Sequence, residues 1–312
     1  TYNANGGTVS PASQTVNAGS SVTLPTPTRS GYTFSGWSTN QSGSGKVNSP
    51  YTVNGNVTLY AGWTAAATPP TSTNKYFNSA NKGQLVSAFN SLLGSGKRSP
   101  SVVHHYTPAQ AIDIILSYDS YITDLCNTSG FQIPKELVQS LLLRELWCLN
   151  EADDLGDALV ILYFGWEEQR EYWHNQSAVY QMIHEYPKSP LPFHDDSSTG
   201  LGQMFARTGI SAHNNAIQIG LLNSSYLSAE NWKDRKQMWD ELRADDGFSI
   251  KMVYYELFNC ASKNGESSLD FFNYSASQLK ALLARYNGSG ADATQYGNEV
   301  YEYYLIFSQY NA

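Results

Sequence analysis

Pro134-Lys135-Glu136-Leu137-Val138-Gln139-Ser140-Leu141-Leu142-Leu143-Arg144-Glu145-Leu146-Trp147-Cys148-Leu149 is the stretch on which the reading of this chain turns. It opens with a proline, suited to the first turn of a helix, and keeps a helical period to its end, which predicts a helix over 134–150. At ~100° per residue, the positions within about 60° of Glu145 are Pro134, Val138, Leu141, Leu142, Cys148 and Leu149. Glu145 is the one charge on that apolar stripe, whereas Glu136 and Ser140 point away from it and read as solvated. Apolar surroundings disfavour the ionised carboxylate and raise its pKa. The negative end of the helix dipole, close to Glu145, acts in the same direction. A rise from ~4.3 to ~6 corresponds to about 2.3 kcal/mol of stability near neutral pH. Three readings account for such an expense: a buried arginine pairs with Glu145, its carboxyl snorkels at the rim, or Glu145 is a general acid kept protonated at neutral pH, as glycosidases require.

The rest of the chain is consistent with long helices on one side of this stretch and short strands on the other. Beyond about Tyr76, helical patterns are predicted over 82–95, 108–126, 134–150, 154–173, 176–186, 200–222, 228–244, 250–261, 276–286 and 293–308. Their starts carry Thr107-Pro108, Ile133-Pro134, Ser228 and Ser275 as caps or first-turn prolines. Residues 1–64 alternate in short runs such as Ser21-Val22-Thr23-Leu24 and Val57-Thr58-Leu59-Tyr60, set between the turn signals Asn5-Gly6-Gly7, Ser30-Gly31 and Asn54-Gly55. Ala65 to Lys75 reads as an extended Pro/Thr/Ala linker with nothing to pack. The expectation is a multidomain chain: a small β-rich module at 1–64, a linker at 65–75 and a mainly α domain at 76–312.

Charge and composition narrow the chemistry. The chain has 312 residues, 41% of them apolar and 15% charged, with a formal net charge of −8. That balance argues against nucleic acid, whose binders neutralise phosphates with Lys and Arg. No run approaches the ~18 apolar residues of a membrane span. Residues 1–75 carry Arg29, Lys46 and Lys75 and no Asp or Glu, so all 27 acidic side chains and all 6 histidines lie downstream. Any carboxylate chemistry therefore belongs to the helical part. Cys126, Cys148 and Cys260 have neither metal-knuckle spacing nor an even framework and read as core residues, with a Cys126–Cys148 bridge conceivable. His194-Asp195-Asp196 with His184 lacks metal-ligand spacing, so neither metal nor cofactor is expected. The 22 Tyr and 7 Trp suit sugar stacking and core packing alike.

The N-terminal segment resembles the Listeria–Bacteroides repeat, a β-grasp-like module of Gram-positive surface proteins. The likeness is carried by Tyr2-Asn3-Ala4-Asn5-Gly6-Gly7-Thr8-Val9, by Pro25-Thr26-Pro27-Thr28-Arg29-Ser30-Gly31-Tyr32-Thr33-Phe34-Ser35-Gly36-Trp37 and by Leu59-Tyr60-Ala61-Gly62-Trp63. The family usually has a few strand residues before the first of these, so a chain cut from a longer protein is expected.

Two further segments join Glu145. One is Asp195-Asp196-Ser197-Ser198-Thr199-Gly200-Leu201-Gly202-Gln203-Met204, a polar loop with two glycines. The other is Tyr286-Asn287-Gly288, followed by Tyr296 near the last helix. In this order they resemble the signature segments of the lysozyme-like lytic transglycosylases. Glu145 matches that family's catalytic acid, Gly200, Leu201 and Gln203 its second motif, and Tyr286, Asn287 and Gly288 its third. Met204 and Tyr296 are placed with the substrate-binding residues. This chain departs from the pattern in having Leu146 where Ser is common, Gly202 where Met is usual, and a separation of 55 from Glu145 to Gly200, where the family's gap is short.

The resemblance implies a mainly α lysozyme-like catalytic domain acting on peptidoglycan glycan strands. Glu145 would protonate the oxygen between N-acetylmuramic acid and N-acetylglucosamine, the substrate's acetamido group would stabilise the oxocarbenium-like centre, and Glu145 would then close a 1,6-anhydro ring. Gln203 and Asn287 would hydrogen-bond substrate, and Tyr286 would bond the acid or position the acetamido group. The alternative is muramidase-like or chitinase-like inverting hydrolysis with Asp195 or Asp196 as the base, each equally readable as a cap or a solvated loop residue. A further alternative is a non-catalytic wall-binding or adhesion protein. Either way a secreted or cell-wall-associated protein of a Gram-positive-type bacterium is expected, with the N-terminal module contacting a wall polymer or surface.

Overall fold

The computed structural model describes residues 1–29, 32–65, 74–93, 105–149, 151–190 and 194–311. The Ser30-Gly31 turn, most of the linker and His104 lie outside them. The chain divides into two compact units, Thr1–Thr68 and Pro69–Ala312.

In the first unit, β1 (Tyr2–Asn3), β2 (Ser20–Val22), β3 (Tyr32–Ser38), β4 (Lys46–Val47), β5 (Tyr51–Val53) and β6 (Leu59–Ala65) form two small sheets. One has the order β1-β6-β3-β4, with β1 parallel to β6, and the other pairs β2 with β5 antiparallel. A unit this small has little apolar surface to bury, and it relies on aromatic residues with a polar handle. Trp37 is buried with Tyr2, Leu24, Leu59 and Ala61. Its indole N–H donates to the Pro25 carbonyl at 2.8 Å, and that of Trp63 donates to the Ala4 carbonyl at 2.8 Å. Phe34 meets both rings edge-on.

The second unit is helical: α1 (Lys82–Leu93), α2 (Pro108–Ser117), α3 (Asp119–Cys126), α4 (Lys135–Cys148), α5 (Glu151–His174), α6 (Ala178–Ile183), a short hairpin of β7 (Ser198–Thr199) and β8 (Met204–Phe205), then α7 (Ala206–Gln218), α8 (Trp232–Ala244), α9 (Asp246–Lys263), α10 (Ala276–Tyr286) and α11 (Ala291–Tyr310). α4 and α9 are the central helices. α4 packs against α2, α3, α9 and α11, and α9 against α3, α4, α7, α8 and α10. α4 is buried from Leu137 through Leu143, Ser140 included. Ser140 is thus not solvated as its helical angle suggested; its hydroxyl donates to the Leu137 carbonyl at 3.0 Å, which satisfies it inside the core.

Other departures from the periodicity have local causes. The run expected over 108–126 breaks at Tyr118 into α2 and α3, and the Tyr118 hydroxyl donates to Asp246 at 2.8 Å. The run expected over 200–222 becomes a hairpin followed by a helix from Ala206, because Gly200 and Gln203 take positive φ of 69° and 44°. Asn231, rather than Ser228, caps α8. Thr107 and Ser275 form capping boxes as their sequences suggest. None of the three cysteines is in a disulfide, so Cys126 and Cys148 are not bridged.

The end of the segment read as a linker is structural. α4 begins after Pro134, whose side chain cannot cap it. Asn74 does so from a distance: its side-chain oxygen accepts from Lys135 N at 2.8 Å. Its amide nitrogen donates to the carbonyls of Cys126 and Ile133. The Lys135 ammonium, 1% exposed, donates to the Lys75 carbonyl at 2.5 Å, to Asp119 at 2.7 Å and to Thr123 at 3.2 Å. Asp119 also accepts from Phe77 N and Gln139.

Removing one partner of such a buried pair leaves the other charge unsolvated, at about 3–5 kcal/mol. Lys135→Met should therefore lower the stability of the helical unit by about that amount, read as a fall in the urea midpoint of the helical circular-dichroism signal. An unchanged midpoint would rule out the buried pair.

Candidate active site

Glu145 lies in the last turn of α4 and its carbonyl accepts from Leu149 N at the helix end. Its carboxyl is only partly accessible, among the core side chains of α4 and the aromatic face of α11. Burial pushes its pKa from 4.5 up to about 7, against opposing pulls from the Tyr296 hydroxyl and the Arg144 guanidinium and with smaller upward pushes from Asp153 and Glu299. The sequence offered an arginine partner, a carboxyl at the rim or a protonated acid; Glu145 is half-buried, and the arginine next in sequence has a different carboxylate as its closest. Arg144 Nε lies 3.5 Å from Glu299, and its guanidinium carbon is 5.2 Å from the centre of the Tyr296 ring. Glu299 in turn accepts from the Tyr303 hydroxyl at 2.6 Å.

Tyr296 donates its hydroxyl proton to Glu145 Oε1. Burial, reinforced by the nearby Glu145 carboxyl, holds the Tyr296 phenol well above its ordinary value, so it remains a donor across the neutral range. With Oε1 accepting, the proton of a neutral Glu145 resides on Oε2. A carboxylic acid of this kind has an ionisation midpoint near neutral pH and a fixed orientation, the two attributes of a group that gives up a proton and later takes one back.

Tyr286, expected to bond the acid or to position the acetamido group, directs its hydroxyl bond to another partner. Its ring lies parallel to that of Tyr296, with centroids 6.5 Å apart and planes 10° apart, and its hydroxyl donates to the Gly202 carbonyl at 2.7 Å. The contacts Glu145–Tyr296–Tyr286–Gly202 thus bring together the three segments separated in sequence. The chain of contacts stops at the hairpin turn 200–203, whose Gly202 N donates to Ser249 Oγ on α9 at 3.1 Å. A Cβ on Gly202 would stand 2.4 Å from Val253 Cγ2 and 3.1 Å from the Tyr286 hydroxyl. Val253 and Tyr286 fill the space that a larger residue at this position would need, which gives the departure Gly202 a packing reason.

The remaining candidates divide. Gln203 is turned onto its own loop: its amide nitrogen donates to the Gly200 carbonyl at 2.9 Å, and its oxygen accepts from Ser198 at 3.5 Å. Leu201 packs on the core while half-buried. Met204 is 2% exposed, so it is a core residue of the hairpin rather than a substrate contact. Asn287 is exposed at the end of α10. Asp196 accepts from Ala206 N and Arg207 N at 2.8 and 2.9 Å, capping α7. Asp195 pairs with Arg207 at 2.6 Å, which holds its carboxyl below the usual range, and Arg235 stands 3.8 Å away. Both aspartates have structural work at the start of α7. Of the other tyrosines of α11, Tyr303 is buried while Tyr301 and Tyr304 stack on each other, half-buried.

Sequence reasoning missed Arg144, Glu299 and the part played by Tyr296. The available signal was the spacing 296, 299, 300, 303, 307 on α11, one helical face on which a glutamate stands among residues that are otherwise apolar or aromatic. Among the described residues no group of three or more His, Cys, Asp or Glu could hold a metal ion, and no helix is long and apolar enough to cross a membrane.

Because the folded-state pKa of Glu145 lies above its unfolded value, ionisation weakens the fold as pH rises from about 4.5 to about 7. At about 1.4 kcal/mol per pH unit the full penalty is about 3.5 kcal/mol. Glu145→Gln should be more stable than wild type by up to that amount above pH 8 and gain nothing below pH 4, as read from urea midpoints across pH. A stability difference independent of pH would mean that the carboxyl titrates normally.

No curated protein and no solved structure matches the chain. Residues 1–62 match the family described as the Listeria-Bacteroides repeat domain.

Proposed function

We propose that the helical unit cleaves the β-1,4 bond between N-acetylmuramic acid and N-acetylglucosamine in peptidoglycan, with Glu145 as the single general acid and base. The observation that carries this reading is the junction of a near-neutral carboxyl on α4 with Tyr296, Tyr286 and the Gly200–Gln203 turn. Those are the segments through which the sequence resembles a lysozyme-like lytic transglycosylase. In this reading Glu145 Oε2 delivers its proton to the glycosidic oxygen as the bond breaks. The substrate's acetamido oxygen stabilises the anomeric carbon, so no enzymatic nucleophile is required. The resulting carboxylate takes the proton of the C6 hydroxyl as the 1,6-anhydro ring closes. Arg144 and the Tyr296 hydroxyl make the intermediate anion tolerable, since both favour the charged form.

The engagement of Asp195 and Asp196 at the start of α7 favours this course over inverting hydrolysis. A base that activates water must be free to accept a proton, and Asp195 is held anionic by Arg207. Asp196, whose carboxyl is raised by burial, would lose the cap of α7 on protonation. A repeat module of bacterial surface type in the same chain fits a secreted or wall-associated enzyme, held near its polymer by the N-terminal unit. The alternative of an adhesion protein would leave the strained neutrality of Glu145 without a use.

Glu145→Gln should abolish clearance of a peptidoglycan suspension with the circular-dichroism spectrum unchanged, and the released muropeptides of the wild type should be lighter by one water than reducing-end products. Wild-type kcat/KM should fall as pH rises through about 7, as the acid is lost. Full activity in the variant would remove the proposal, and predominantly reducing ends would transfer it to hydrolysis.

A further inference from the structure

The stretch between Glu145 and the Gly200 turn, 146–199, contains an arm with a cavity of its own. α5 lies along α8 through Lys233–Glu171 at 2.5 Å and Lys236–Glu168 at 3.6 Å. After α5 the chain turns back as α6 and an extended stretch to Pro187. The reversal is held by polar bonds. The Gln181 side-chain amide donates to the carbonyls of Trp173, His174 and Gln176 around the end of α5. Trp173 Nε1 donates to the His184 carbonyl at 3.3 Å and Trp166 Nε1 to the Pro187 carbonyl at 3.0 Å. Between the two limbs is a concavity of about 550 Å3, within the ~300–1,000 Å3 of small-ligand sites.

The lining is aromatic and polar. Tyr172, 58% exposed, meets Tyr180 edge-on at 6.1 Å, and the Tyr180 ring lies flat on His184 at 3.8 Å. His184 Nδ1 is 3.0 Å from the Tyr180 carbonyl, an acceptor, so Nδ1 carries the proton and Nε2 is left as an acceptor in the neutral ring. Gln169, Glu168 and Glu185 complete the edge. Three ligand classes could use such a set. A quaternary ammonium would need unpaired negative charge, yet Glu168 stands 3.6 Å from Lys236 and Glu185 3.6 Å from Lys188. An apolar peptide would need the aliphatic side chains of α6, but Val179, Met182 and Ile183 are exposed and do not line the cavity. A neutral pyranose has the matching surfaces: C–H faces for the rings and hydroxyls for the amide, imidazole and carboxylates.

We infer that the α5–α6 arm carries a second glycan-binding site, built on Tyr172, Tyr180, His184 and Gln169, that takes neutral pyranose rings and is separate from Glu145. The inference stands on the arm's own geometry and does not require that Glu145 be catalytic. A cleavage site and a separate holding site on one unit would keep a polymer strand engaged between events.

Titration calorimetry with triacetylchitotriose on the full chain, in a Glu145→Gln background that prevents turnover, tests it. Tyr172→Ala and, separately, Gln169→Ala are expected to remove one binding event or weaken it by about three- to tenfold. Two events of which one is sensitive to these changes, or a single sensitive event, would support the arm site. The single sensitive event would also tell against glycan binding at Glu145 and so against the proposed function alone. An isotherm that neither change alters, no binding of the sugar, or binding of tetramethylammonium in its place would overturn the arm site.

Discussion

A carboxyl group that is removed from water but given a tyrosine hydroxyl rather than a guanidinium as its direct partner sets the terms for the rest of the helical unit. A charged partner would hold Glu145 ionised, and burial alone would leave it unoriented. The bond from Tyr296 fixes one oxygen and leaves the proton on the other, while Arg144 stands close enough to moderate the shift without cancelling it. Arg144 is itself restrained by Glu299, and Glu299 by Tyr303. The acid thus depends on a line of side chains along one face of α11, which packs against α4 and α10. The same face presents Tyr296 to Tyr286, and so couples the acid to the hairpin turn.

Much of this was legible before any coordinates. The two-part division, the strands of the N-terminal unit and nearly every helix follow from period and punctuation, and the isolation of Glu145 on an apolar stripe follows from helical angles. What escaped has a common cause: it depends on which side chains meet across elements. That Tyr296 is the tyrosine bonded to Glu145 depends on how α10 and α11 pair. The burial of Lys135 had no signal in its own helix, because its partners are Asp119 on α3 and a backbone carbonyl at Lys75. The hairpin before α7 was hidden because Gln203, not a glycine, takes a left-handed conformation, stabilised when its amide bonds the Gly200 carbonyl.

Asp195 and Asp196 show how a loop of acids can be misread as chemistry. Two adjacent carboxylates before a glycine-rich turn resemble a water-activating pair. Here one closes the open end of a helix and the other balances an arginine. Their proximity to the motif in sequence reflects the need to anchor the hairpin at the start of α7.

Asn74 has a practical corollary for anyone dividing this chain. Composition places the border of the helical unit at Tyr76, yet the first described residue on which that unit relies is Asn74, which supplies the oxygen that α4 cannot draw from Pro134. An excised fragment starting at the compositional border would present its central helix with a bare amide end and its buried ammonium with one acceptor fewer. The safe cut for crystallography or calorimetry of the isolated helical half lies upstream, among the threonines and prolines.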